Sequence, residues 1–104
     1  MKESVARCHL LARILAADGI MADKERVMLQ AKMNRLGLSD EERAQVIHFE
    51  GAKGAEACIR ALPEEARQAM ISEFLSAAFI DGNLSPLEVA EIKKIARAIG
   101  IEDV

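Results

Sequence analysis

The sequence predicts an all-α fold: one domain over residues 1–104, a bundle of about six helices built as an internal pseudo-twofold duplication. Three observations predict it. Apolar residues recur at helical spacing along most of the chain, and no segment alternates apolar and polar residues as a strand does. Gly19, Gly37, Gly82 and Gly100 each stand where a helical run stops. The third observation is a repeat. Asp18-Gly19 with Glu25 recurs as Asp81-Gly82 with Glu88, an offset of 63 residues. At that offset Leu29, Met33, Leu36, Gly37 and Leu38 fall on Ile92, Ala96, Ile99, Gly100 and Ile101. The half-repeats span about 4–40 and 67–103. Two copies suit a duplicated bundle; a solenoid needs more.

The first helix is expected from Lys2 to Asp18. Val5, Cys8, Leu11, Ala12, Leu15 and Ala16 make its apolar stripe, with Lys2, Glu3, Arg7, His9 and Arg13 on the other faces. The second is expected from Asp23 to Leu36, with Glu25, Leu29, Met33 and Leu36 on one stripe. Gly37 ends it, and Leu38 folds back as a Schellman ending requires. Ser39-Asp40-Glu41-Glu42 reads as a capping box that opens a short helix over 40–49. That helix is expected to turn Ala44 and Ile47 inward, with Val46 a secondary candidate. Glu50-Gly51-Ala52-Lys53-Gly54 separates the halves, and a short helix over 55–62 follows. Pro63 with Glu64 and Glu65 begins a fifth helix over 63–81. Ala66, Ala69, Met70, Ile71, Phe74, Leu75, Ala78 and Phe79 cover most of its circumference, which predicts a central position. The last helix takes Ser85 as N-cap, faces Ile92, Ile95, Ala96 and Ile99 inward, and closes at Gly100.

The composition excludes several functions. About half the residues are apolar, 51%, so the chain is globular. No apolar run approaches the roughly 20 residues that span a bilayer, and no secretory signal is recognisable. The expected location is cytoplasmic. A net charge of −3 with mixed signs is wrong for nucleic acid, which wants a basic face. The aromatics Phe49, Phe74 and Phe79 read as packing residues. Cys8 and Cys58 read as reduced thiols; no C-x-x-C spacing is present. Cys8 and His9 project about 100° apart on a helix and do not readily share a metal. Neither His9, expected on an exposed face, nor His48 has a Ser, Cys or carboxylate in catalytic array. The chain is therefore not expected to be an enzyme.

The two acidic turns carry the functional question. Each matches the second half of an EF-hand loop, Asp-Gly with a Glu seven positions after the Asp. The upstream ligand positions are Ile14 and Ala16 in one copy, Ala77 and Phe79 in the other. None of these side chains ligates a cation, so neither turn is a standard EF-hand. Capping explains Ser85 and Glu88 as a box. It explains Glu25 less well, because Ala22 stands where the N-cap hydroxyl belongs. Asp18 and Asp81 fall at helix C-termini, where the dipole disfavours an anion. Ala16-Ala17 and Ala77-Ala78 are small enough to let helices cross and bring the turns together. Asp18, Glu25, Asp81 and Glu88 would then form a cluster wanting a divalent cation, shared protons or a basic partner. An all-oxygen set selects Ca²⁺ or Mg²⁺ over Zn²⁺. Capping and cation binding both stay open at this level.

With these residues in hand, the chain resembles the TerB-like family, the tellurite-resistance group to which the N-terminal domains of DjlA-type co-chaperones are related. The shared pattern is an Ala-rich helix ending in Asp-Gly, an aliphatic residue, a Ser or Thr, a Glu, and a following helix ending in Leu-Gly-Leu or its equivalent. It matches Ala16 to Leu38 and Ala77 to Ile101. Ala22 departs from it, since a hydroxyl residue is usual there. The resemblance implies a bacterial all-helical bundle without catalytic activity. It implies a divalent-cation site whose matching positions are Asp18, Glu25, Asp81 and Glu88. It implies a role in tellurite or other stress through protein partners at the cytoplasmic membrane face. No J-domain and no membrane segment accompanies it. The resulting expectation is a non-enzymatic interaction module with a conditional Ca²⁺ or Mg²⁺ site, as a monomer or homodimer. The alternative is a dedicated Ca²⁺ or Mg²⁺ sensor.

Overall fold

Among the described residues six helices follow one another: α1 (Glu3–Leu15), α2 (Asp23–Arg35), α3 (Asp40–Ile47), α4 (Ala55–Arg60), α5 (Glu64–Ala78) and α6 (Pro86–Ala98). They are seen in a computed structural model that describes residues 1–79, 82 and 85–101. No strand occurs among the described residues. The radius of gyration is 12.6 Å, that of one closely packed globule of this length.

α1 is the central element, not α5. It touches all five other helices, and α5 packs mainly on α6 and α1. Nine of its thirteen residues are buried, including Leu10, Ile14 and His9 outside the predicted stripe. The reason lies in side-chain size. Leu10, Leu11, Ile14 and Leu15 are each at most 1% exposed, and burying such a side chain contributes about 1.5–3 kcal/mol. Ala66 and Ala69 give α5 its wide apolar face, but a methyl group loses little by facing water. α5 instead buries one side: Met70, Ile71, Phe74, Ala77 and Ala78. Phe79, expected inside, is 53% exposed.

His9 is also inside. Only 2% of its surface is exposed, and its Nε2 has no hydrogen-bond partner among the described residues. A neutral imidazole packs much like an aromatic ring, so polarity alone did not place it outside. In α3, Val46 is the buried residue; Ala44 and Ile47 are exposed.

The helix ends follow their predicted chemistry, but several fall short of their expected positions: α3 stops at Ile47, α4 at Arg60 and α5 at Ala78. α1 stops at Leu15, because Ala17 N–H donates to Ile14 O and Gly19 N–H to Ala16 O, tightening the chain into turns. Pro63 is the cap of α5, not its first residue. The Schellman endings form in parallel. Leu38 N–H donates to Met33 O at 3.1 Å, and Ile101 N–H donates to Ala96 O at 2.7 Å. Gly37 N–H donates to Asn34 O and Gly100 N–H to Arg97 O, both at 3.1 Å. Gly37 and Gly100 hold φ at +74° and +87°, which only glycine adopts without strain. Leu38 and Ile101 then tuck under their helices, each 7% exposed. α6 buries Ile92, Ile95, Ala96 and Ile99 as its spacing predicts.

Long-range ion pairs tie the helices to α1. Arg13 reaches Glu56 of α4 at 3.3 Å and Glu91 of α6 at 3.1 Å. Arg67 of α5 donates to Ile99 O at 2.5 Å and to Leu62 O at 3.0 Å. It thereby satisfies carbonyls that the ends of α6 and α4 leave open.

Candidate functional site

The first acidic turn lies between α1 and α2. Asp18 is exposed and points into its own loop: Oδ1 accepts from Ile20 N–H at 3.4 Å. This Asx geometry lets the carboxylate serve the turn. Because α1 has already ended at Leu15, Asp18 is displaced from the α1 C-terminus. Glu25 sits in the first turn of α2 and is 4% exposed. Its Oε1 accepts from Ala22 N–H at 3.0 Å. This is the reciprocal half of a capping box. It forms although Ala22 has no hydroxyl to supply the other half, because the reaching glutamate needs only the backbone of its partner. Glu25 thus has a structural role that the alanine at position 22 conceals in the sequence.

In the second turn, Ser85 caps α6 by accepting from Glu88 N–H at 3.4 Å. Glu88 is 3% exposed. Both glutamates are thus turned into the bundle, as their places on the stripes of Leu29 and Ile92 predict. Asp81 lies outside the described residues, and so does the approach of the two turns to each other.

Among the described residues no three His, Cys, Asp or Glu side chains group closely enough to hold a metal ion. None of their buried carboxylate oxygens lacks a hydrogen-bond partner. A Ca²⁺ or Mg²⁺ cage takes six or more oxygens, and the set expected to supply them includes Asp81, outside the described residues.

A feature the sequence did not announce lies beside the first turn. A pocket of about 370 Å³ is lined by Gly19 and Met21 of the turn, Arg26, Leu29 and Gln30 of α2, and Val46, Ile47 and Phe49 at the end of α3. Ile47 and Phe49 are 41% and 52% exposed. Phe49 holds φ at +57° and takes the C′ place in a third Schellman ending, Glu50 N–H donating to Gln45 O at 2.8 Å. Glycine is the usual residue there. A β-carbon in that conformation costs roughly 1–2 kcal/mol. The sequence signal was present, an aromatic where the other endings have Gly, but α3 was expected to run through Phe49.

Cys8 and His9 are sequestered by burial. Burial pushes the Cys8 thiol up to about 11, against a smaller lowering by Lys32 and Arg7. Cys8 and Cys58 are both free thiols, and Cys58 is half-buried. Burial lowers the His9 pKa from its usual value. No helix among the described residues is long and apolar enough to cross a membrane.

A family model described as "Tellurite resistance protein TerB" matches residues 4–104. Comparison with curated proteins and with solved structures finds no match.

Proposed function

Because the chain belongs to the TerB tellurite-resistance family, we propose that it is a non-enzymatic interaction module of a tellurite-type stress response, docking a protein partner at the first acidic turn. Family membership implies the stress-related function; the docking site rests on the pocket. One observation carries it: an open, mixed pocket stands against the Asp18-Gly19 turn, apolar at Met21, Leu29, Val46, Ile47 and Phe49 and polar at Arg26 and Gln30, with Ile47 and Phe49 left to solvent at its edge. Strain at an exposed aromatic is retained where surroundings or function require that side chain. Such a pocket beside an exposed carboxylate fits a segment that places an aliphatic or aromatic side chain in the pocket and a Lys or Arg at Asp18; Arg26 in the wall disfavours a cation inside the pocket itself. Asp18 is free to pair with that charge at the cost of one long bond to Ile20 N–H. The partner's place at the cytoplasmic membrane face, and a homodimer as the alternative assembly, follow the family resemblance. The paired Gly endings and Asp-Gly turns support an internal duplication as the origin of the two halves.

The test uses tellurite survival. Cells lacking the chain are complemented with wild type, Phe49→Gly or Asp18→Asn. Phe49→Gly removes the side chain while suiting the backbone, so the fold is kept. The reading expects both variants to be present at wild-type level and to lose resistance. Full resistance with Phe49→Gly would remove the pocket from the function.

The second reading, a dedicated Ca²⁺ or Mg²⁺ sensor, is favoured by the burial of Glu25 and Glu88. It requires Asp81 to complete the ligand set. Titrating either metal into chelator-treated protein should then raise the melting temperature, and Asp18→Asn/Asp81→Asn should abolish the rise. Glu25→Gln separates this from capping, since the amide oxygen still accepts from Ala22 N–H but the charge is gone. No shift up to millimolar metal removes the sensor.

A further inference from the structure

Away from the acidic turns, a cleft of about 320 Å³ lies between α2 and α5, with Leu11 of α1 at its base. Its walls combine two kinds of surface. Leu11, Met28 and Ala77 make an apolar floor. Lys32 and Arg35 of α2 and Glu73 and Ser76 of α5 supply the polar groups.

The charges there do not balance. Lys32 is 7% exposed, and its ammonium pairs with Glu73 Oε1. The same carboxylate is also shared with Arg7, whose Nη1 is 3.9 Å from Oε2. Arg7 in turn bonds Glu3 through Nε at 2.9 Å. Arg35 has no ion-pair partner among the described residues. Two α2 cations thus line a partly closed site whose single carboxylate is already divided between Lys32 and Arg7. This local excess of positive charge occurs in a chain whose net charge is −3. Burial first, then the Arg35 and Arg7 charges, push the Lys32 pKa below its usual value; an added anion would relieve that repulsion.

We propose that this cleft binds a small organic anion, a carboxylate held by Lys32 and Arg35 on an apolar body of a few carbons lying over Leu11, Met28 and Ala77. The guanidinium fork matches a carboxylate in two parallel hydrogen bonds. The volume admits a small molecule, being near the lower limit of the roughly 300–1,000 Å³ usual for such sites.

Hexanoate is the probe. It is titrated into the full chain while backbone amides are followed by NMR, with hexanol and acetate as controls that lack the charge or the tail. Saturable shifts are expected at the amides of Lys32, Arg35 and Ser76, weakening as salt is raised. Both controls should bind more weakly than hexanoate. Arg35 is exposed, so Arg35→Ala should keep the fold and weaken binding about tenfold. Glu73→Gln removes the competing carboxylate without changing its shape and should tighten binding. Absence of saturable shifts, hexanol binding as tightly as hexanoate, or an Arg35→Ala variant with unchanged affinity would overturn the proposal. Acetate matching hexanoate would overturn the apolar half of the site.

Discussion

Gly37 and Gly100 occupy the same place in two endings that are alike in every backbone bond, yet their replacement by Ala should not cost the same. At Gly37 a new β-carbon meets nothing within 4 Å, so the cost of Gly37→Ala is conformational. A left-handed L-residue pays roughly 1–2 kcal/mol, part of which is returned through a less flexible unfolded chain. About 1 kcal/mol is expected. At Gly100 the β-carbon would lie 2.9 Å from Arg67 Nη1, the atom that donates to Ile99 O. The guanidinium is the far end of a flexible side chain and moves aside easily. The cost is the hydrogen bond it abandons. Bonds to charged groups contribute about 1.5–3 kcal/mol, and partial exposure of Arg67 argues for the lower end. Gly100→Ala should therefore destabilise by about 2.5 kcal/mol, about 1.5 more than Gly37→Ala. In a domain of this size that difference is roughly 6–12 °C in melting temperature. Urea unfolding of both variants measures it. Repeating Gly100→Ala in an Arg67→Ala background should reduce its cost to that of Gly37→Ala. Equal costs in the wild-type background, or strict additivity with Arg67→Ala, would refute the reasoning.

Two further outcomes follow from burial. The His9 pKa is lowered in the folded chain, so the unfolded state binds the proton more readily. The associated stability is complete above the unfolded value near 6.5 and is lost as pH falls through that value toward the lower folded one. His9→Leu should flatten the stability–pH curve in that window, as measured by urea midpoints across pH; an unchanged slope would count against a buried neutral imidazole. Cys58 should react with a thiol reagent in the native protein while Cys8 stays unmodified until urea unfolds the chain, because Cys8 is fully buried with its pKa near 11. Two fast thiols in the native protein would contradict that placement.

The elements and their ends were legible because their causes are local. A Gly at C′, a Ser at the N-cap and a Glu three residues into a helix act on backbone groups within a few positions of themselves. Gly37 and Gly100, Ser39 with Glu42, and Ser85 were therefore readable in order along the chain. The burial of Glu25 and Glu88 was readable too, from the stripes they share with Leu29 and Ile92. For the acidic turns, sequence supplied the residue types and the spacing but not the service Asp18 and Glu25 render to neighbouring amides.

What the sequence by itself determined is thus the all-helical class, the six helices and the chemistry that starts and stops them. The tertiary structure decided which helix is central, since α1 gains its place through the combined volume of its large side chains against five neighbours, and periodicity records faces but not volumes. It decided that His9 and Lys32 are inside, because burial of a polar group depends on what surrounds it. It also decided that Arg67 guards the end of α6 and that Lys32, Arg35 and Glu73 share one cleft. Those contacts join residues far apart in the chain, and no local pattern encodes a distance between helices that have yet to pack.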